Sequence, residues 1–272
     1  MSESELSAVL DDIPHVLGVP FLNLIFHRLA QWPELLIELW AQSRPIILTQ
    51  EFAQAATTLA DIAVAAQPVR SIEQPPSMSA EAWRRAKQLT DTYRAVQPQL
   101  LLLVAGWAAS PGDVIQTAPA ATTSLATRAA PGRGYPGANV PMIATVPENP
   151  AIAILFEQMM VQRGHPGVSS YYRSVAQWPA LLQAVWELLQ PRVSTGPYVQ
   201  QVERLTSAAT VAASLLKIQP ALSMFHFGGN TTSLRTLESW RDMQVPQLTL
   251  DTALVKAAIS RPRSDPGLSR VR

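Results

Sequence analysis

Slid along itself by 146 positions, the chain matches itself without a gap. Residues 18–45, GVPFLNLIFHRLAQWPELLIELWAQSRP, fall on residues 164–191, GHPGVSSYYRSVAQWPALLQAVWELLQP. Gly18 pairs with Gly164, Trp32 with Trp178, Pro33 with Pro179 and Trp40 with Trp186. Upstream, Leu6, Val9, Leu10 and Ile13 fall on Ile152, Leu155, Phe156 and Met159. That i, i+3, i+4, i+7 stripe is one apolar helix face, so each copy opens with an amphipathic helix. In the second copy Asn149 is the expected N-cap, Pro150 the first helical residue and Gly164 the stop. In the first, Pro14 is expected to cut the helix short, because proline has no N–H for the ladder. The Trp-Pro steps end one helix and open the next, since proline suits a first turn but biases the residue before it away from helix. Further on, Phe52, Ala56 and Leu59 match Tyr198, Val202 and Leu205, and the copies re-converge at 95–107 and 217–229.

Between the copies, residues 110–148 are rich in Pro, Ala, Thr and Gly, with little apolar periodicity. Strand signals are sparse. The expected fold is therefore all-α: two tandem helical repeats, 1–109 and 149–259, packed as a pseudo-dimer through a long Pro/Ala-rich linker, with 260–272 as a disordered tail. At 47% apolar residues the chain can bury a sizeable core.

Charge and residue types narrow the function. A formal net charge of +1, with 15% charged residues, argues against nucleic acid or an anionic lipid surface as partner. The chain has no cysteine, which removes disulfides, thiolate nucleophiles and thiolate-bound metals. No two of its four histidines stand at metal-ligand spacing, so no metal is expected. The start, MSESELSAVLDD, is acidic and amphipathic rather than a secretory leader. The longest apolar stretch, residues 100–109, is too short to span a bilayer. A cytoplasmic protein without membrane association is the expectation, and a homo-oligomer stays open.

The doubled Ala-x-Trp-Pro block, with the Gln97-Pro98-Gln99-Leu100 segment and the connection between copies, resembles the group I D,L-2-haloacid dehalogenases from about residue 5 to about residue 230. The resemblance implies an all-helical chain of two pseudo-repeats with a small-acid pocket between them, working without metal or organic cofactor. It also implies a water, activated by an aspartate, that displaces halide from a short 2-haloalkanoic acid. In this chain Ser170 stands at the family serine, and Tyr171 stands where that aspartate is expected. A phenol with a reference pKa of about 10 is mostly a hydrogen-bond donor at neutral pH, where a carboxylate is an acceptor. Phe21 stands at an aromatic family position, Leu24 replaces a second aromatic, and Gln97 stands for an asparagine before proline.

The candidate catalytic residues are Tyr171 and His27, the latter a histidine inside the first matched block and able to titrate near neutrality. Candidate ligand-binding residues are Phe21, Asn23, Leu24, Gln97, Ser170, Arg173 and His226. Arg173 could clamp a carboxylate, and His226 lies between two phenylalanines on the expected last helix. His165, in Gly-His-Pro, reads as a cation at a helix end. Two functions stay open: an enzyme of the dehalogenase type with no cofactor and a short carboxylic acid as its ligand, or a non-catalytic binder of such an acid or of a helical partner.

Overall fold

The computed structural model describes residues 3–64, 69–109, 140–218, 220 and 231–260. These fold into helices and loops. Helices α1 (Glu3–Leu17), α2 (Leu24–Leu29), α3 (Pro33–Ile47), α4 (Gln50–Val64) and α5 (Ala80–Trp107) make the first half. The second half holds α6 (Pro150–Arg163), α7 (Ser170–Val175), α8 (Pro179–Leu189), α9 (Gly196–Leu215), α10 (Thr231–Ser239) and α11 (Val245–Ser260), with a π-helical turn at Trp240–Gln244. The starts of α2, α3 and α4 recur 146 residues on, as the starts of α7, α8 and α9.

The local chemistry behind these bounds is repeated as well. Trp32 (φ −126°, ψ 76°) and Trp178 (φ −124°, ψ 85°) take almost the same non-helical geometry, each followed by proline at the first helical position. The Trp40 indole N–H donates to Asp12 Oδ2 at 2.8 Å, and the Trp186 indole to Gln158 Oε1 at 3.1 Å, so acceptor and donor are again 146 apart. Asn149 caps α6 by accepting from the Ala151 amide at 3.0 Å. Gly164 ends α6 at φ 65°, with the His165 amide donating to the Met160 carbonyl and the Gly164 amide to that of Val161. A Cβ at Gly164 would meet nothing within 4 Å, so its only obstacle is the backbone angle. Gly164→Ala is expected to lose about 1–2 kcal/mol, the cost of an L-residue in the left-handed region, measurable by urea unfolding.

At the centre α4, α5, α9 and α11 pack on one another, two helices from each half. α5 from Leu100 to Trp107 and most of α11 are buried all round, as helices without a polar face must be. α1 packs on α3, and α6 on α8. Buried apolar residues of both halves form one continuous cluster. Among the described residues no helix is long and apolar enough to cross a membrane.

Three expectations are corrected or fall outside view. α1 does not stop at Pro14 but runs to Leu17, where burial of Ile13, Val16 and Leu17 outweighs the missing N–H. Of the late segment read as matching α5, 217–229, only Lys217, Ile218 and Pro220 are among the described residues. Lys217 leaves the helix at φ 58°, and Pro246-Gln247-Leu248 on α11 repeats Pro98-Gln99-Leu100 on α5. Most of the linker (110–139), His226 and the segment 261–272 lie outside the described residues.

Candidate functional site

The two short helices α2 and α7 approach α10, the π-helical turn and the start of α11 around a cleft of about 720 Å³. Six sequence candidates line it: Asn23, Leu24, His27, Gln97, Ser170 and Arg173. Asn23 is the N-cap of α2, its Oδ1 accepting from the Ile25 amide at 3.1 Å. Gln97 comes from the buried middle of α5, 1% exposed, and Ser170 from the start of α7. Arg173 Nε donates to the Ile143 carbonyl at 2.8 Å, tying the end of the linker to α7. His27 is exposed at the cleft edge. Arg28, Arg173 and Arg235 are part of the lining, and no Asp or Glu lines it among the described residues.

The remaining aromatic candidates stand behind this wall. Phe21 stacks on Tyr93 with ring centres 5.1 Å apart, Tyr93 meets Tyr171 edge-on at 5.2 Å, and Tyr171 meets Tyr172 at 5.4 Å. Tyr171 is 0% exposed, its hydroxyl within 3.2 Å of Thr90 Oγ1. Burial pushes its phenol far up, against the Thr90 hydrogen bond. Tyr93 is pushed up to about 12 by burial, opposed by hydrogen bonds from Ser170 and Ser174. The Tyr171 side chain, expected to be catalytic, packs in the core outside the cleft lining, where burial favours its protonated form.

Sequence reasoning missed a buried charge cluster one layer deeper. Arg163, at the end of α6, pairs with Asp251 of α11 at 2.8 Å, their side chains 4% and 0% exposed. The Tyr172 hydroxyl donates to Asp251 Oδ2 at 2.6 Å and the Tyr198 hydroxyl to Oδ1 at 2.9 Å. The guanidinium also stands over the rings of Tyr172 and Trp186, at 5.5 and 5.7 Å from their centres. Burial works against its charge, but Asp251 and the two phenols outweigh that and hold its pKa above the ordinary value. The available signal was the lone carboxylate in the apolar run VPQLTLDTALVKAAIS.

Between this cluster and the cleft is a second, small cavity of about 30 Å³, sharing Gly167, Val168, Ser169, Gln244 and Leu248 with the cleft wall. Arg163 Nε, His165 Nε2 and Ser169 Oγ are buried around it without a protein hydrogen-bond partner. His165 is lowered from 6.5 to about 4, first by burial and then by the Arg163 charge, so it is neutral at physiological pH rather than the cation read from its helix-end position. The folded chain refuses a proton that the unfolded chain accepts between pH 6.5 and about 4, so stability is fullest above that window and falls as pH drops through it. Comparing unfolding free energies of the wild type and His165→Gln from pH 7 to pH 4 is expected to show a smaller loss in the variant.

Fold and cleft together define an all-helical protein with an arginine-lined cavity of small-molecule size. The family described as halocarboxylic acid dehydrogenase DehI matches residues 20–159, more than half of the chain, and the chain belongs to that family. No curated protein matches it in sequence. Among solved structures it is similar to a D-2-haloacid dehalogenase mutant in complex with D-2-CPA, at 16% identity and a TM-score of 0.78, over 95% of this chain and 93% of that one. A D-2-haloacid dehalogenase in complex with L-LA is also similar, at 16% identity and a TM-score of 0.76, over 94% of this chain and 91% of that one. Both likenesses share the all-helical fold described above.

Proposed function

We propose that the cleft binds a short carboxylic acid and that the protein hydrolytically displaces halide from a 2-haloalkanoic acid held there. The observation that carries this reading is the lining itself: among the described residues it holds three arginines and no carboxylate, in a family of halocarboxylic acid enzymes. On this reading Asn23, Leu24, Gln97, Ser170 and Arg173 hold the acid, with Phe21 backing the wall through Tyr93 and His27 at the entrance. Water is the only co-reactant, no metal or organic cofactor takes part, and the protein works in the cytoplasm. On the same reading the cleft belongs to the seam between the two repeats, 1–109 and 149–259.

Halide release from D- and L-2-chloropropionate tests the reading directly. Turnover of at least one enantiomer is expected, with Arg173→Ala raising KM. Absence of release from both, at millimolar acid, sinks it.

That no carboxylate lines the cleft among the described residues favours a second reading, a binder without turnover. It predicts that acids stabilise the fold with no halide released. Saturation at 100 times Kd would add about 2.7 kcal/mol, visible as a rise in Tm.

A further inference from the structure

The small cavity is a built site. Asn23 and Ser169 are repeat partners at the N-caps of α2 and α7, yet only Asn23 caps its helix, and the Ser169 side chain makes no capping bond. Its Oγ is instead buried at the cavity together with Arg163 Nε and His165 Nε2. Arg163 is itself 9% exposed. About 30 Å³ exceeds the 10–15 Å³ or so that a water needs, and three polar partners match the usual complement of a buried water. The donors and acceptors fit as well. Arg163 Nε–H donates, the lone pair of a neutral His165 with its proton on Nδ1 accepts, and the Ser169 hydroxyl can do either.

We propose that this cavity holds the attacking water and that His165 accepts its proton, an inference that rests on the hydrolytic reading of the cleft. One O–H bond of the water breaks and its oxygen bonds to C2 of the 2-haloacid. The carbon–halogen bond breaks, the halide leaves with the electron pair, and the proton stays on Nε2 until solvent removes it. Neither Tyr171, buried behind the wall, nor Asp251, whose two oxygens already accept from Tyr172, Tyr198 and Arg163, is free for this task. His165 faces Arg163 from α6 and Asp251 from α11 as its charged neighbours, with Tyr172 from α7 also lining the cavity. Burial and the Arg163 charge give it the basicity of an ordinary carboxylate, about 4, so it is unprotonated throughout the physiological range.

The test is halide release from D- and L-2-chloropropionate by the full chain carrying His165→Gln or Ser169→Ala, across pH, with thermal unfolding as a check on the fold. His165→Gln is expected to lower kcat by about 100-fold or more with KM little changed, the scale of a lost general base, and to lose the wild type's acid limb. Ser169→Ala, which removes one partner of the water and no capping bond, is expected to lower kcat roughly 10-fold at unchanged KM, as losing one hydrogen bond of about 1.4 kcal/mol in the transition state would. It decides the matter if His165→Gln does not fold. Wild-type kcat in either folded variant overturns the role of this cavity while leaving the dehalogenase reading standing. No release by the wild type overturns both.

Discussion

Asp251→Ala is expected to cost the fold about 3–5 kcal/mol, because it leaves a buried guanidinium without its counter-charge. Arg163 cannot follow water outward, since its side chain is 4% exposed and lies over the Tyr172 and Trp186 rings. Two phenols lose their acceptor in the same step, one from α7 and one from α9. Against a typical total stability of about 5–15 kcal/mol, such a variant is expected to unfold early or not accumulate at all. Urea unfolding of Asp251→Ala and of Arg163→Met/Asp251→Leu checks the cause. The double replacement, which removes both charges, is expected to recover much of the loss. Equal losses in both would mean that packing, not the unpaired charge, is at work.

Trp186→Ala comes next, at about 3–5 kcal/mol for the loss of a fully buried indole. The side chain is 1% exposed, and its N–H holds Gln158 on α6. Its repeat partner is a built-in control. Trp40 is 2% exposed and donates to Asp12, with Phe26 edge-on at 6.0 Å, so Trp40→Ala removes a similar volume. Only Trp186 also stands under the Arg163 guanidinium. Trp186→Ala and Asp251→Ala are therefore expected to combine non-additively, while Trp40→Ala and Asp251→Ala add within about 0.5 kcal/mol, as measured by double-mutant cycles.

What could be read from the residues alone follows the range of the signal. Trp-Pro corners, Asn149, Pro150 and Gly164 act over one helical turn, so the helix bounds around them were legible, as was the 146-residue offset that carries them. Pro14 misled because the helix around it is held by burial in the core rather than by its own ladder. The resemblance of Pro246-Gln247-Leu248 to Pro98-Gln99-Leu100 was overlooked because Gln219-Pro220 offers a match to Gln97-Pro98 earlier in the chain, and a π-helical turn before α11 departs from the constant offset. The charge cluster was illegible for another reason. Asp251 meets Tyr172 and Tyr198 across 79 and 53 residues of chain, and no local pattern announces such partners. Tyr171 shows the converse limit: its place in the matched block was readable, but whether its side chain faces the cleft or the core depended on α5, where Thr90 and Tyr93 receive it.

The arginine lining of the cleft bears on the speed of capture as well as on recognition. Arg28 and Arg235 are exposed, and among the described residues no acid lines the cleft to cancel their field at short range. An approaching anion feels that field over a Debye length, roughly 30 Å at 10 mM salt and about 8 Å at 150 mM. Arrival of the ligand is thus expected to slow as ionic strength rises, while the Arg163–Asp251 pair beneath, sealed from solvent, hardly responds. Salt is a means of separating the two: it tunes how often an anion reaches the mouth without altering the frame that holds the mouth in place.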